Sequence, residues 1–416
     1  MGDGQKGSEG DDFALSMTAF VSMMAFLMAL TAFSVDIMLP VLPHIVDTYA
    51  LDDPNMQQHM VTAYMGAFAL GHIFAGPLSD RIGRRPAILL GLGIYLAGTA
   101  YSVIADSFMA LLIARAVQGF GAAAPRVVAV AVVRDRFVGR AMSQVLSFIM
   151  MVFIMLPVVA PAIGAGIGYI GGWRAVFAFL FVFGATTFTW VALKLPETNP
   201  RKGPNARPAI PIATAVRTVV GNPQTMGYMV AQGFVFGYLM TYISTTQQVF
   251  EDIYGIVEWF PLVFASVAGP MILSSLVNAR LVEEVGMRWL SHAAALALLG
   301  MSVVAAVILL ANGSLAFAAL LGFLCFAFFL IGLILPNFNA LAMEPLGAVA
   351  GTGSSFVGFV MTALGAALGS VVGQLYDETL QPIIFGFVLY SAIVVLVIAL
   401  TERGKLMQPT VKLAER

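Results

Sequence analysis

Three charged residues stand where charge is expensive. Asp36 is the one carboxylate in the first long apolar stretch, within Phe33-Ser34-Val35-Asp36-Ile37-Met38-Leu39-Pro40, and Arg115 and Arg126 interrupt a second such run. A carboxylate that alternates between dry and wet surroundings can take up a proton on one side of a membrane and release it on the other. The other reading of Asp36 is a water-facing residue at the end of its helix, four positions before Pro40. A mid-membrane arginine costs about 3 kcal/mol on insertion scales, so it should face a cavity or a partner. Eleven helical residues separate the two arginines, which leaves about 20° of rotation, so both point the same way. The chain shows no nucleophile–base pair and no phosphate-binding loop, and its four histidines and single Cys325 have no ligand spacing. Neither an enzyme nor an ATP-driven pump is indicated. No metal or other cofactor is expected, and the energy source would be a proton gradient.

The elements that hold these residues follow from composition. The chain has 416 residues, of which 60% are hydrophobic and 10% charged, against about 25% charged in an average soluble domain. That excludes a soluble protein and predicts an all-α membrane protein with apolar runs of helical length. Twelve spans are expected, near 13–39, 57–79, 87–105, 107–133, 141–165, 175–193, 224–248, 257–279, 289–310, 315–337, 347–373 and 380–401. A net charge of −1 gives no footprint for nucleic acid. Residues 1–12 carry four acids and one lysine, unlike a cleavable signal, so the first span is expected to be retained.

With the N-terminus inside, 18 of the 21 basic residues fall in inside loops. The positive-inside rule therefore predicts both termini in the cytoplasm. Residues 195–222 hold five prolines and five basic residues close by, which suits a cytoplasmic linker. They divide the chain into a six-helix bundle over 1–194 and a second over 223–416. The loop Asp80-Arg81-Ile82-Gly83-Arg84-Arg85 is echoed 203 residues later around Gly286-Met287-Arg288. Two pseudo-symmetric bundles with a decayed second copy are expected, as in secondary transporters.

Four passages carry a family likeness: Asp36 to Pro43, the loop 76–86, Arg115 to Asp135, and Pro157 to Phe177. The loop Gly76-Pro77-Leu78-Ser79-Asp80-Arg81-Ile82-Gly83-Arg84-Arg85-Pro86 resembles the loop between helices 2 and 3 of the major facilitator superfamily. Arg115-Ala116-Val117-Gln118-Gly119 resembles its R-x-x-Q-G motif. Pro157, Pro161, Gly164 and Gly168 are similar to the helix-5 motif of drug:proton antiporters, with Ala160-Pro161 where Gly-Pro is usual. Together they resemble the bicyclomycin/chloramphenicol-resistance (Bcr/CflA) branch.

The resemblance implies a monomeric twelve-helix transporter of the bacterial inner membrane, whose partners are protons, a small-molecule substrate and the lipid bilayer. It would export drug-like molecules by alternating access. Asp36 would carry the proton in competition with substrate, and Arg115 would hold the polar network and modulate that proton. Gly76, Asp80, Arg81, Gly83, Arg84 and Arg85 would latch the bundles. Arg126, Gln118, Gln232, Tyr238, Tyr242, Asn337 and Asn339 would line the cavity. Asp36 against two arginines leaves that cavity net positive, which keeps open a transporter of one metabolite or anion, as exporter or proton symporter. A channel or receptor of similar helix count is the reading from a different class.

Overall fold

The computed structural model describes residues 16–137, 139–199 and 212–408. The basic residues Lys6, Arg201, Lys202, Arg207, Lys412 and Arg416, both chain ends and the middle of the linker lie outside them. All secondary structure among the described residues is helical.

The N-terminal half comprises α1 (Met17–Asp36), α2 (Leu42–Tyr49), α3 (His59–Ile82), α4 (Arg84–Ile104), α5 (Phe108–Arg136) and α6 (Gly139–Lys194). The first span ends earlier than 39: α1 stops at Asp36, a 3-10 turn covers Leu39–Val41, and α2 follows. Pro40 and Pro43 explain the break, because a proline lacks the amide hydrogen and clashes with the preceding turn. Spans five and six run together as α6, parted where Gly172 adopts φ 69°.

The C-terminal half follows α7 (Ile212–Gly221), which lies in the expected linker. It comprises α8 (Pro223–Gln248), α9 (Phe260–Ala268), α10 (Pro270–Val285), α11 (Met287–Asn312), α12 (Phe317–Met343), α13 (Ala350–Gln374) and α14 (Gln381–Thr401). Span eight is split at Gly269-Pro270 into α9 and α10.

Among the described residues, ten helical stretches are long and apolar enough to cross a membrane. The difference from twelve has two sources. Met155–Lys194 counts once although Gly172 divides it, and α8 is missing from the ten. Helix α8 is long enough, but its second half carries Thr241, Tyr242, Ser244, Thr245, Thr246, Gln247 and Gln248, all buried. A helix this polar crosses a membrane only when protein surrounds it.

The internal repeat is visible in the packing. In the first half α4 packs on α5, α3 on α5 and α1 on α5; in the second, α11 packs on α12, α10 on α12 and α8 on α12. Small residues allow these crossings: a Cβ on Gly119 would collide with the Tyr64 carbonyl, and one on Gly121 with the Tyr95 amide. The two halves meet along α3 and α13 and along α6 and α9.

Candidate proton and substrate site between the bundles

Asp36 is the last residue of α1 and is 3% exposed. Among the described residues its carboxylate has no hydrogen-bond or ion-pair partner. The turn that follows it touches α8 of the other bundle, and Tyr242 of α8 lies within electrostatic reach of the carboxylate. The Tyr242 hydroxyl is buried without a hydrogen-bond partner, while its ring stacks on Phe264 at 5.4 Å and meets Phe328 edge-on at 4.7 Å. Two half-sites thus face each other across the bundle interface, each with unused polar capacity. Buried polar groups without a partner are uncommon in folded proteins.

The helix-5 glycines position Asp36 rather than reach the other bundle. A Cβ on Gly164 would overlap the carbonyl oxygen of Ile37, and one on Gly168 would meet the Val41 side chain. Helix α6 therefore lies directly against the chain just after Asp36. Pro161 is buried and Pro157 half-buried on the same helix.

Arg115 is completely buried. It donates from Nε to the Met60 carbonyl at 3.2 Å and from Nη1 to Gln118 Oε1 at 2.6 Å. Its guanidinium lies 4.4 Å from the centre of the Tyr64 ring. Gln118 passes the connection on to Thr99 Oγ1 at 2.9 Å. Gln118 is thus used inside the N-terminal bundle, and the structure does not bring Arg115 into contact with Asp36. Its remaining nitrogen, Nη2, is buried without a hydrogen-bond partner.

The α3 residues beside these arginines were not singled out in the sequence. Tyr64, Phe68 and His72 recur every fourth position; Tyr64 stacks on Phe68 with ring centres 6.2 Å apart, and Phe68 meets His72 edge-on at 4.5 Å. Arg115 sits at the Tyr64 end of this ladder, and Arg126, half-buried, is within electrostatic reach of His72. The fourfold spacing was the available signal.

The other cavity expectations divide. Gln232, Tyr238 and Tyr242 are buried on α8 and each keeps one polar atom without a hydrogen-bond partner. Tyr238 lies flat on Phe387 at 3.6 Å. Asn337 is occupied by Asn278 Oδ1 of α10 at 2.6 Å and by the Leu333 carbonyl at 2.7 Å. Asn339 is exposed, because two residues along a helix turn a side chain by about 200°.

Among the expected latch residues, Arg84 gathers several partners. Arg84 binds Asp80 at 2.6 Å, Asp135 at 2.8 Å and Ser79 Oγ at 2.7 Å. Its backbone amide donates to Glu197 at 2.8 Å, and Asn199 donates to the Asp80 carbonyl at 3.0 Å. Arg85 donates to the Ala192 carbonyl at 2.6 Å, and Arg81 is exposed. Gly83 makes the turn at φ 110°, a conformation that suits glycine. Gly76 is placed against the other bundle, where a Cβ would crowd Ser355 Oγ. The second half repeats the cluster: Gly286 turns at φ 86°, and Arg288 binds Glu344 at 3.2 Å and Glu402 at 3.0 Å. Glu344 and Glu402 follow Asp135 and Glu197 by 209 and 205 residues, within a few positions of the 203-residue repeat.

Residues 24–370 match the Major Facilitator Superfamily model. The chain belongs to this superfamily. A bicyclomycin resistance protein homolog of Haemophilus influenzae is 31% identical over 381 residues, covering 88% of this chain and 92% of that protein. A chloramphenicol resistance protein of Pseudomonas aeruginosa is 28% identical, covering 88% and 84%. These place this facilitator in the bicyclomycin/chloramphenicol-resistance branch. The human organic anion transporter MFSD10 superposes with a TM-score of 0.66 at 18% identity over 92% of this chain and 98% of that one, which shows the fold. Two six-helix halves with matching contacts are thus the facilitator fold, and the chain is a multi-pass membrane transporter.

Proposed function

We propose that this facilitator is a proton-driven exporter of small drug-like molecules across the bacterial inner membrane, acting as a monomer with both termini in the cytoplasm. The observation that carries the reading is Asp36, a buried carboxylate with no partner among the described residues, at the end of α1 and opposite α8. When the bundles open toward the periplasm, water reaches this carboxylate and a proton loads. Closure dries the site and carries the proton inward, and opening to the cytoplasm releases it while substrate takes its place. A membrane potential supplies about 2.3 kcal/mol per charge per 100 mV toward proton entry. Arg115 keeps Gln118, Thr99 and Tyr64 in one network next to α1 and supplies a fixed positive charge to the same half.

The names of the relatives supply the substrates to try: bicyclomycin and chloramphenicol. Cells making the protein should grow at higher concentrations of at least one of them, and cells making Asp36→Asn should not. Counterflow in proteoliposomes completes the test, because a channel does not exchange. Protection against neither drug, together with uptake of an anion driven by protons, would move the reading to an anion symporter, which Arg115 and Arg126 would suit.

A further inference from the structure

At the end of the bundles away from the linker, the two halves are joined by side-chain amides. Gln58, the residue before α3, donates from Nε2 to Gln248 Oε1 at the end of α8, at 2.6 Å. Gln248 donates in turn to Asn55 Oδ1 at 2.9 Å. Asn55 donates from Nδ2 to the Tyr376 carbonyl at 2.7 Å, and Gln374 donates to the Asn55 carbonyl at 2.9 Å. Asn55 and Gln58 belong to the first half, and Gln248, Gln374 and Tyr376 to the second. Gln58 and Gln248 are both buried. A Cβ on Gly373 would collide with Gln58 Oε1, so α13 presses directly on this cluster.

We infer that Asn55, Gln58, Gln248 and Gln374 form an uncharged clasp that seals the far side of the transporter and must break each time that side opens. Three features carry this. The four bonds cross from one bundle to the other, whereas the ion pairs of Arg84 with Asp80 and Asp135, and of Arg288 with Glu344 and Glu402, each join residues of one half. The donors and acceptors form a chain, Gln58 to Gln248 to Asn55 to the Tyr376 carbonyl, so separating the bundles breaks it as a unit. The groups are neutral, so water can replace each bond when the clasp opens at far lower cost than separating buried ions. A seal of this kind holds firmly enough to close the cavity and weakly enough to open in every cycle. Its neutrality also makes the clasp itself insensitive to pH, which leaves proton coupling to the carboxylates.

The test measures bundle separation directly. Spin labels at Asp52→Cys and Leu375→Cys, in a Cys325→Ser background, report the far-side distance by pulsed electron resonance on protein in nanodiscs. Gln58→Ala, Gln248→Ala and the double variant form a cycle, and Gly373→Ala unseats Gln58 without removing an amide. Each single variant should shift population from the short to the long distance. The double variant should shift no further than either single one, and Gly373→Ala should resemble Gln58→Ala. A simple loss of fold would abolish both distances rather than exchange one for the other, and a thermal melt checks this. Unchanged distance populations in Gln58→Ala and Gln248→Ala overturn the clasp, as do fully additive shifts. Because the readout needs neither substrate nor proton gradient, its failure leaves the exporter reading untouched.

Discussion

Gly164 of α6 lies so close to Ile37 that a methyl group there would overlap the Ile37 carbonyl oxygen, one residue beyond Asp36. The helix-5 motif therefore acts on the proton site through the backbone. Gly164→Ala should displace the end of α1 at a cost of about 1–3 kcal/mol, typical of overpacking. Gly166, which has open space beside it, should accept alanine freely. Drug efflux assays on the two variants check this: Gly164→Ala falls well below wild type and Gly166→Ala matches it.

Arg115 offers a second test. Removing it leaves Gln118 Oε1 without its 2.6 Å donor in a fully buried site, and an unsatisfied buried group costs about 1–3 kcal/mol. Arg115→Ala should lower the melting temperature and transport together. Gln118→Leu, which takes away both the acceptor for Arg115 and the donor to Thr99, should fall in the same direction. The double variant should lose less than the sum of the two.

The two arginine clusters should differ in weight. Arg84 and Asp135 are nearly buried, with side chains 6% and 9% exposed, whereas Arg288 is 30% and Glu344 50% exposed. Arg84→Ala leaves Asp135 buried without its cation, and breaking such a pair costs about 3–5 kcal/mol. Loss of an exposed pair such as Arg288–Glu344 costs about 0–1 kcal/mol. Melting of Arg84→Ala and Glu344→Ala should therefore separate clearly, with the second close to wild type.

Acidity should favour the sealed far side. Glu251, beyond the end of α8, is held above the usual carboxylate range by burial first and then by Asp252, against the donor Gln247 and the nearby His44, with Asp47 adding to the rise. Asp252 is raised by burial and then lowered by Tyr376, with Glu378 raising it again. A carboxyl whose pKa is raised in one conformation stabilises that conformation once protonated, and the effect is lost as pH rises through the raised value. The closed population in the distance measurement should therefore grow on going from neutral pH toward the ordinary carboxylate range. Glu251→Gln should flatten that dependence.

Most of the architecture was legible in the sequence, because apolar run length and the placement of basic loops are set by the bilayer. The helix breaks were less so. Pro40 and Pro43 announce the end of α1 to a reader who weighs proline above hydropathy, and Gly269-Pro270 does the same for span eight. For the site, single charged residues could be found but their partners could not. Arg115 and Asp36 both stand out by type, yet Arg115 is held by a backbone carbonyl, an amide and a ring. Asn337 and Asn339 were grouped by composition, while the helical turn sends them to different faces. The clasp was invisible because Asn55, Gln58, Gln248 and Gln374 are scattered through 320 positions and carry no charge.

Proton release from the purified protein tests the central claim most directly. Bicyclomycin or chloramphenicol is added to weakly buffered protein carrying a pH-sensitive dye. Wild type should release protons as the drug binds, and Asp36→Asn should bind drug with no release. Equal release from Asp36→Asn and wild type would contradict the account.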